Sequence, residues 1–237
     1  MQRANHWRRA HPLLSIIFTK QKFTILLIAL SAFGCLLLSL RILRTGDLYF
    51  LYLPWNLFLA WVPFLLSSRS YQNCLGGKPK LKSVLLWAVW FLFYPNAPYI
   101  ITDLVHLGFS SAIPKWYDSL LVFSFALTGL LVGLASLYQM HRVIELYFGK
   151  ITGWIFIITM LLASGFGIYI GRILRWNSWD LFIHTIPLLA DVREHFLSPS
   201  AIVMTISFSL FTGIAYLLLF FMMHAPGRNV EMQSSNG

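Results

Sequence analysis

Asn96, Asp103 and His106 lie in or just beyond an apolar run that two prolines interrupt, FLFYPNAPYIITDLVH at residues 91–106. An amide, a carboxylate and an imidazole in such a setting could hold a ligand or an ion. Two other stretches carry similar groups. Asn56 follows Pro54 in LPWNLF (53–58), and GFGIYIGRILRWNSWD (165–180) delivers Arg172, Arg175, Asn177 and Asp180. Guanidinium groups grip phosphate or carboxylate through paired N–H donors. Arg172 and Arg175 are three apart and share a side if their helix continues, which makes them candidates for anion capture. The plain alternative is that they pair with Asp103 or Asp180 and lock two segments together. For Asn56 and Asn96 it is hydrogen bonding to carbonyls freed by Pro54, Pro95 and Pro98.

Asp103 and His106 are also three apart, and LFIHTIPLLADVREHF (181–196) adds His184, Asp191, Glu194 and His195. Imidazole and carboxylate together suit a divalent metal, which could activate water against a lipid headgroup. No H-E-x-x-H or comparable signature accompanies them. Solvated residues at helix ends are the preferred reading, a metal is not favoured, and the cofactor is left open. Nucleophilic catalysis has little support, since no G-x-S-x-G stretch is present and Cys74 is expected on the opposite face from the histidines.

The elements that must position these groups follow from composition. The chain has 237 residues, of which 58% are hydrophobic and 11% charged; soluble domains carry about 25% charged residues. Crossing ~30 Å of hydrocarbon takes about 20 apolar residues. Six runs approach or reach that length: 23–40, 48–66, 83–102, 119–139, 151–171 and 202–223. The expected fold is all-α, a polytopic transmembrane bundle of six spans. A basic N-terminal segment (1–22) precedes the membrane domain (23–224), and a disordered tail (225–237) follows. Two cysteines, one in an apolar run and one in a polar loop, make no disulfide framework.

Orientation follows from Lys and Arg. The N-terminal segment, loops two and four and the tail share one side and carry twelve; loops one, three and five carry six. The positive-inside rule places the first set, and both termini, in the cytoplasm. Six of the eight acids fall on the other set, so the net charge of +10 belongs to the cytoplasmic face. That pattern speaks for anionic lipid as partner and against nucleic acid. Asn56 and Asn96 then reach similar depths, roughly 13 Å and about 10 Å below the outer face at the helical rise. A span broken by prolines should face the bundle interior or a wet recess. The expectation is an outward-facing polar pocket built from Asn56, Asn96, Asp103, His106, Arg172, Arg175, Asn177 and Asp180. Gly129 and Gly133, like Gly167 and Gly171, are spaced for close helix packing.

PWNLFLAWVP (54–63), YPNAPYIITDLVHL (94–107) and GFGIYIGRILRWNSWD (165–180) resemble a family of bacterial membrane proteins catalogued as domain of unknown function 1361. The resemblance implies a multi-span protein of a bacterial inner membrane and brings no activity or catalytic residue with it. Three function classes stay open from the chemistry: binding or processing of lipid headgroups at the outer interface, which the one-sided pocket favours; binding or transport of a small solute; and a non-enzymatic accessory or assembly subunit with a membrane-protein partner.

Overall fold

A computed structural model describes residues 21–74, 81–106 and 113–224. The expected N-terminal segment, up to residue 20, and the tail from residue 225 lie outside the described residues. Among those described, the chain is helical throughout, with no strand. Six helical segments are long and apolar enough to cross a membrane, covering 23–45, 49–74, 81–105, 115–148, 150–172 and 199–223. The protein is a multi-pass membrane protein.

Helix α1 is Gln21–Thr45, and a 3₁₀ turn at Tyr49–Leu51 leads into α2, Tyr52–Cys74. Helix α3, Leu81–Phe93, stops at the turn Tyr94–Pro95. A single helical turn α4, Asn96–Tyr99, and a 3₁₀ segment, Ile100–His106, complete that span. Helices α5, Lys115–Phe148, and α6, Lys150–Arg172, are joined by Gly149 alone. Its φ of +94° reverses the chain in one residue, a conformation that costs glycine little. Two short helices follow, α7 (Asp180–Ile183) and α8 (Thr185–His195), and then α9, Pro199–His224.

Helix α5 is the centre of the bundle. Its span is 72% buried, against 44% or less for the others, and it packs on α1, α2, α6, α9 and the broken segment. The core around it includes Trp90, Tyr94, Val132, Leu137, Met140 and Tyr216. Elsewhere large apolar side chains face outward, as Leu43, Ile151 and Met222 do. That is expected of surfaces solvated by lipid rather than water.

The glycine pairs set the position of the broken segment. A methyl group at Gly133 would meet Ala97 Cβ at 2.9 Å, and one at Gly129 would collide with Ile100. From the other side, a methyl group at Gly167 would meet Pro95 at 2.9 Å and one at Gly171 the ring of Tyr99 at 3.1 Å. Residues 95–100 are thus held between α5 and α6 where each helix has no side chain. Gly133→Val should therefore cost about 1–3 kcal/mol by overpacking. Thermal unfolding of the purified variant measures this, and an unchanged melting temperature would show that the contact can yield.

One feature differs from the sequence reading. Spans one, two and four run five to nine residues further than expected at their C-terminal ends, where Arg41, Ser67, Ser70 and His141 are buried within the continuing helices. The half of the bundle away from the acid-rich end has polar contacts of its own. Gln139 Oε1 accepts from Ser67 and Ser68 (2.8 and 2.9 Å), and Ser136 accepts from Trp90 Nε1 at 2.8 Å. Nearer the end of α5, buried His141 meets the Tyr216 hydroxyl at 2.5 Å, and Arg142 pairs with Glu145 at 2.6 Å.

Candidate functional site

The break in the third span brings three helices together at one carboxylate. The 3₁₀ segment places Thr102 and Asp103 side by side, and Asp103 is 1% exposed. Arg172, the last residue of α6, donates from Nη2 to Asp103 Oδ1 at 2.7 Å. Its Nε and Nη2 also donate to Thr102 Oγ1, at 2.9 and 2.6 Å, and its guanidinium lies 4.9 Å above the Tyr99 ring. From α2, Asn56 Nδ2 donates to Asp103 Oδ2 at 2.9 Å. Both carboxylate oxygens are therefore bonded, as a buried charge requires.

A second cluster forms where α6 ends. Ile173 closes the helix, and Arg175 adopts φ +62°, so the chain turns back towards the third span. Asn96 Nδ2 donates to Phe93 O (2.9 Å), a carbonyl beside the proline break, and to Ser178 Oγ (3.0 Å). Ser178 in turn donates to Leu92 O at 3.3 Å. The N–H of Asn177 donates to Asp180 Oδ2 at 2.7 Å and its side-chain amide does so at 3.3 Å. These bonds, the backbone one foremost, hold the Asp180 carboxyl below its ordinary range. Asp180 also meets His184 Nδ1 at 3.2 Å, and Trp176 Nε1 donates to Asp191 at 2.8 Å.

Between these clusters lies a cavity of about 400 Å³, bounded by α2, the broken third span, α6 and α8. Leu59, Phe91, Leu92, Met160, Ala163 and Phe166 give it apolar walls. Its polar lining is the amides of Asn56, Asn96 and Asn177, the hydroxyls of Ser178 and Tyr99, and the indoles of Trp55 and Trp176. Among the described residues, no charged side chain lines it. Helix α8 contributes Leu188, Leu189 and Val192, while Ile186 on its other side is 83% exposed. A few placed polar groups on a mainly apolar concavity are the usual make-up of a site for a small or amphiphilic ligand.

The family described as "Protein of unknown function (DUF1361)" has a model that matches residues 55–215. The chain belongs to this family. Comparison with curated proteins and with solved structures gave no match. The family match contains Asn56, Asn96, Asp103, Arg172 and Asn177, the asparagines of the cavity and the ion pair behind it, and begins after α1.

The expected site residues separate into groups. Asn56 and Arg172 both bond Asp103, and Asn56, Asn96 and Asn177 share the cavity. Asp180 faces the Asn177 turn and His184 rather than the cavity. Arg175 is exposed and off its lining; because the helix ends at Arg172, the two arginines do not share a helix side as their spacing suggested. The side chain of His106 lies outside the described residues. Among the described residues, no three His, Cys, Asp or Glu side chains gather where they could hold a metal ion. Asp103 is taken up by Arg172, and His195 Nδ1 lies 2.9 Å from its own helix's Asp191 carbonyl. Sequence reasoning missed Thr102, Ser178 and Tyr99. Thr102 adjoins Asp103 in the quoted motif and was open to notice; the ring of Tyr99 under Arg172 needed the break's geometry.

Proposed function

We propose that the protein binds, and presents for processing, a lipid whose polar part enters this cavity at the outer face of the membrane. The observation that carries the reading is the cavity's composition: apolar walls beside a band of uncharged amides and hydroxyls, within a membrane bundle. An ionic solute would gain little from such walls, whereas an amphiphile matches both parts. The outward placement is supported by the excess of Lys and Arg on the segments of the opposite end.

Ala163→Phe, which fills the cavity from α6, tests the reading. Native mass spectrometry of detergent-purified protein should find lipid on the wild type and lose it in Ala163→Phe, with helix content and melting temperature unchanged. Equal lipid on both would sink the proposal. Orientation has its own test at Cys74, where α2 ends. A membrane-impermeant maleimide should label Cys74 only after permeabilisation of the cells. Labelling of intact cells there would put the cavity on the inside.

A further inference from the structure

We infer that the lipid's headgroup is uncharged and donates hydrogen bonds: a hydroxyl-bearing headgroup without phosphate at the cavity. This rests on the lipid reading above and narrows it.

The polar lining is backed by carboxylates. The side-chain amide of Asn56 donates to Asp103, that of Asn177 to Asp180 at 3.3 Å, and the Trp176 indole to Asp191. The remaining amide, Asn96, gives its Nδ2 to Phe93 O and Ser178 Oγ, and the Ser178 hydroxyl gives its proton to Leu92 O. Part of the lining's donor capacity is thus directed into the protein. For an occupant this leaves three amide carbonyls as acceptors, beside one N–H each on Asn56 and Asn177, the Trp55 indole N–H and the Tyr99 hydroxyl as donors. Hydroxyl groups answer both kinds of group, whereas a phosphate, an acceptor alone, leaves the carbonyls unmet.

Charge points the same way. Of the three carboxylates behind the lining, Asp103 is the one that an arginine pairs. That arginine, Arg172, is engaged by Asp103 and Thr102 and lies off the lining. A phosphate drawn into the cavity would lose its hydration and find no cation on the walls, a costly transfer for an ion. An uncharged sugar or polyol pays no such penalty. The aromatic faces of Trp55, Trp176 and Tyr99 supply apolar contact beside the acceptors.

The test uses the full protein in nanodiscs of phosphatidylcholine carrying either monoglucosyl diacylglycerol or phosphatidic acid with the same acyl chains. Detergents with sugar heads are excluded because they share the chemistry under test. Lipid retained by the protein on release from the disc is counted by native mass spectrometry. The glucosyl lipid should be retained at least tenfold better than phosphatidic acid, and that retention should fall in Ala163→Phe and in Leu189→Trp, the second being a change on the surface helix α8. Equal or better retention of phosphatidic acid would overturn the headgroup assignment while leaving a lipid site in place. Glucosyl lipid held equally by both folded variants would move it out of the cavity and overturn the inference as well. Retention of neither lipid by folded protein would remove the lipid reading, and this inference with it.

Discussion

Arg172→Leu should remove most of the folded protein from the membrane. Asp103 has a side chain 2% exposed, and the substitution removes the cation that pairs with its charge while leaving the Asn56 amide on Oδ2. Breaking a buried ion pair from one side costs about 3–5 kcal/mol, a large share of the ~5–15 kcal/mol that holds a typical domain folded. Neutralising the partner as well should restore much of the loss, so Asp103→Asn/Arg172→Leu should be more abundant than Arg172→Leu alone. The measurement is the folded, monodisperse fraction on size exclusion after extraction, followed by thermal unfolding. A single variant that is as stable as wild type would mean that the pair does not fasten the broken span to α6. A double variant no better than the single would assign the loss to Thr102 and Tyr99 contacts instead of charge.

A comparable loss is expected at Arg41, which is fully buried near the end of α1. Its Nε donates to Asp118 at 2.8 Å and its Nη1 to Asp47 at 3.0 Å, and its guanidinium lies 4.5 Å from the Phe50 ring centroid. Arg41→Leu leaves the buried Asp118 carboxylate uncompensated, at a cost of about 3–5 kcal/mol. Arg41→Lys should recover less than half of this, because one ammonium cannot reproduce a planar fork that serves two carboxylates in different directions. Thermal unfolding of the three proteins side by side decides it. If Arg41→Lys melts with the wild type, positive charge alone suffices and the fork geometry is irrelevant. If Arg41→Leu also does, α1 is held to α5 by apolar packing and by the Tyr117 hydroxyl on Leu37 O.

Arg41 also marks where the sequence was hard to read. It sits one residue past the apolar run, and with Arg44 it counts as a loop charge when orientation is tallied. Its partner Asp118 is 77 positions away, at the start of another span, so no local pattern joins them. The signal was the two apolar residues that follow Arg41, which continue the helix and leave the charge inside the membrane, where charges are costly and paired. By contrast, the six spans and the break at 94–99 were legible because each has a local cause, an apolar run of sufficient length or a pair of prolines. The pairing of Arg172 with Asp103 was one of the alternatives the sequence offered, whereas the contact of Asn56 with Asp103 was not, because the helical rise matched Asn56 in depth with Asn96.

The character of the cavity was not. Counting polar residues near one end suggests a polar pocket, but polar side chains in a membrane bundle satisfy one another first. Asp103, Arg172 and Asp180 turn to protein partners, and the volume that remains is walled by the apolar residues between them. The end of α6 at Arg172 was equally hidden. Gly171 precedes it and Asn177 follows, yet where a helix stops within such a stretch depends on what its last carbonyls meet.

The sheltering of residues 95–100 between Gly129 and Gly133 on one side and Gly167 and Gly171 on the other has a consequence for how the chain is made. Both flanking helices come later in the sequence than the segment they enclose. A ribosome therefore delivers the proline break to the membrane before its housing exists, with the backbone groups around Pro95 and Pro98 still awaiting partners that hydrocarbon does not offer. The third span must wait at the edge of the bilayer or beside the insertion machinery until α5 and α6 emerge. The two glycine pairs then act as the latch of a late assembly step, and the cavity comes into being only when that step is complete.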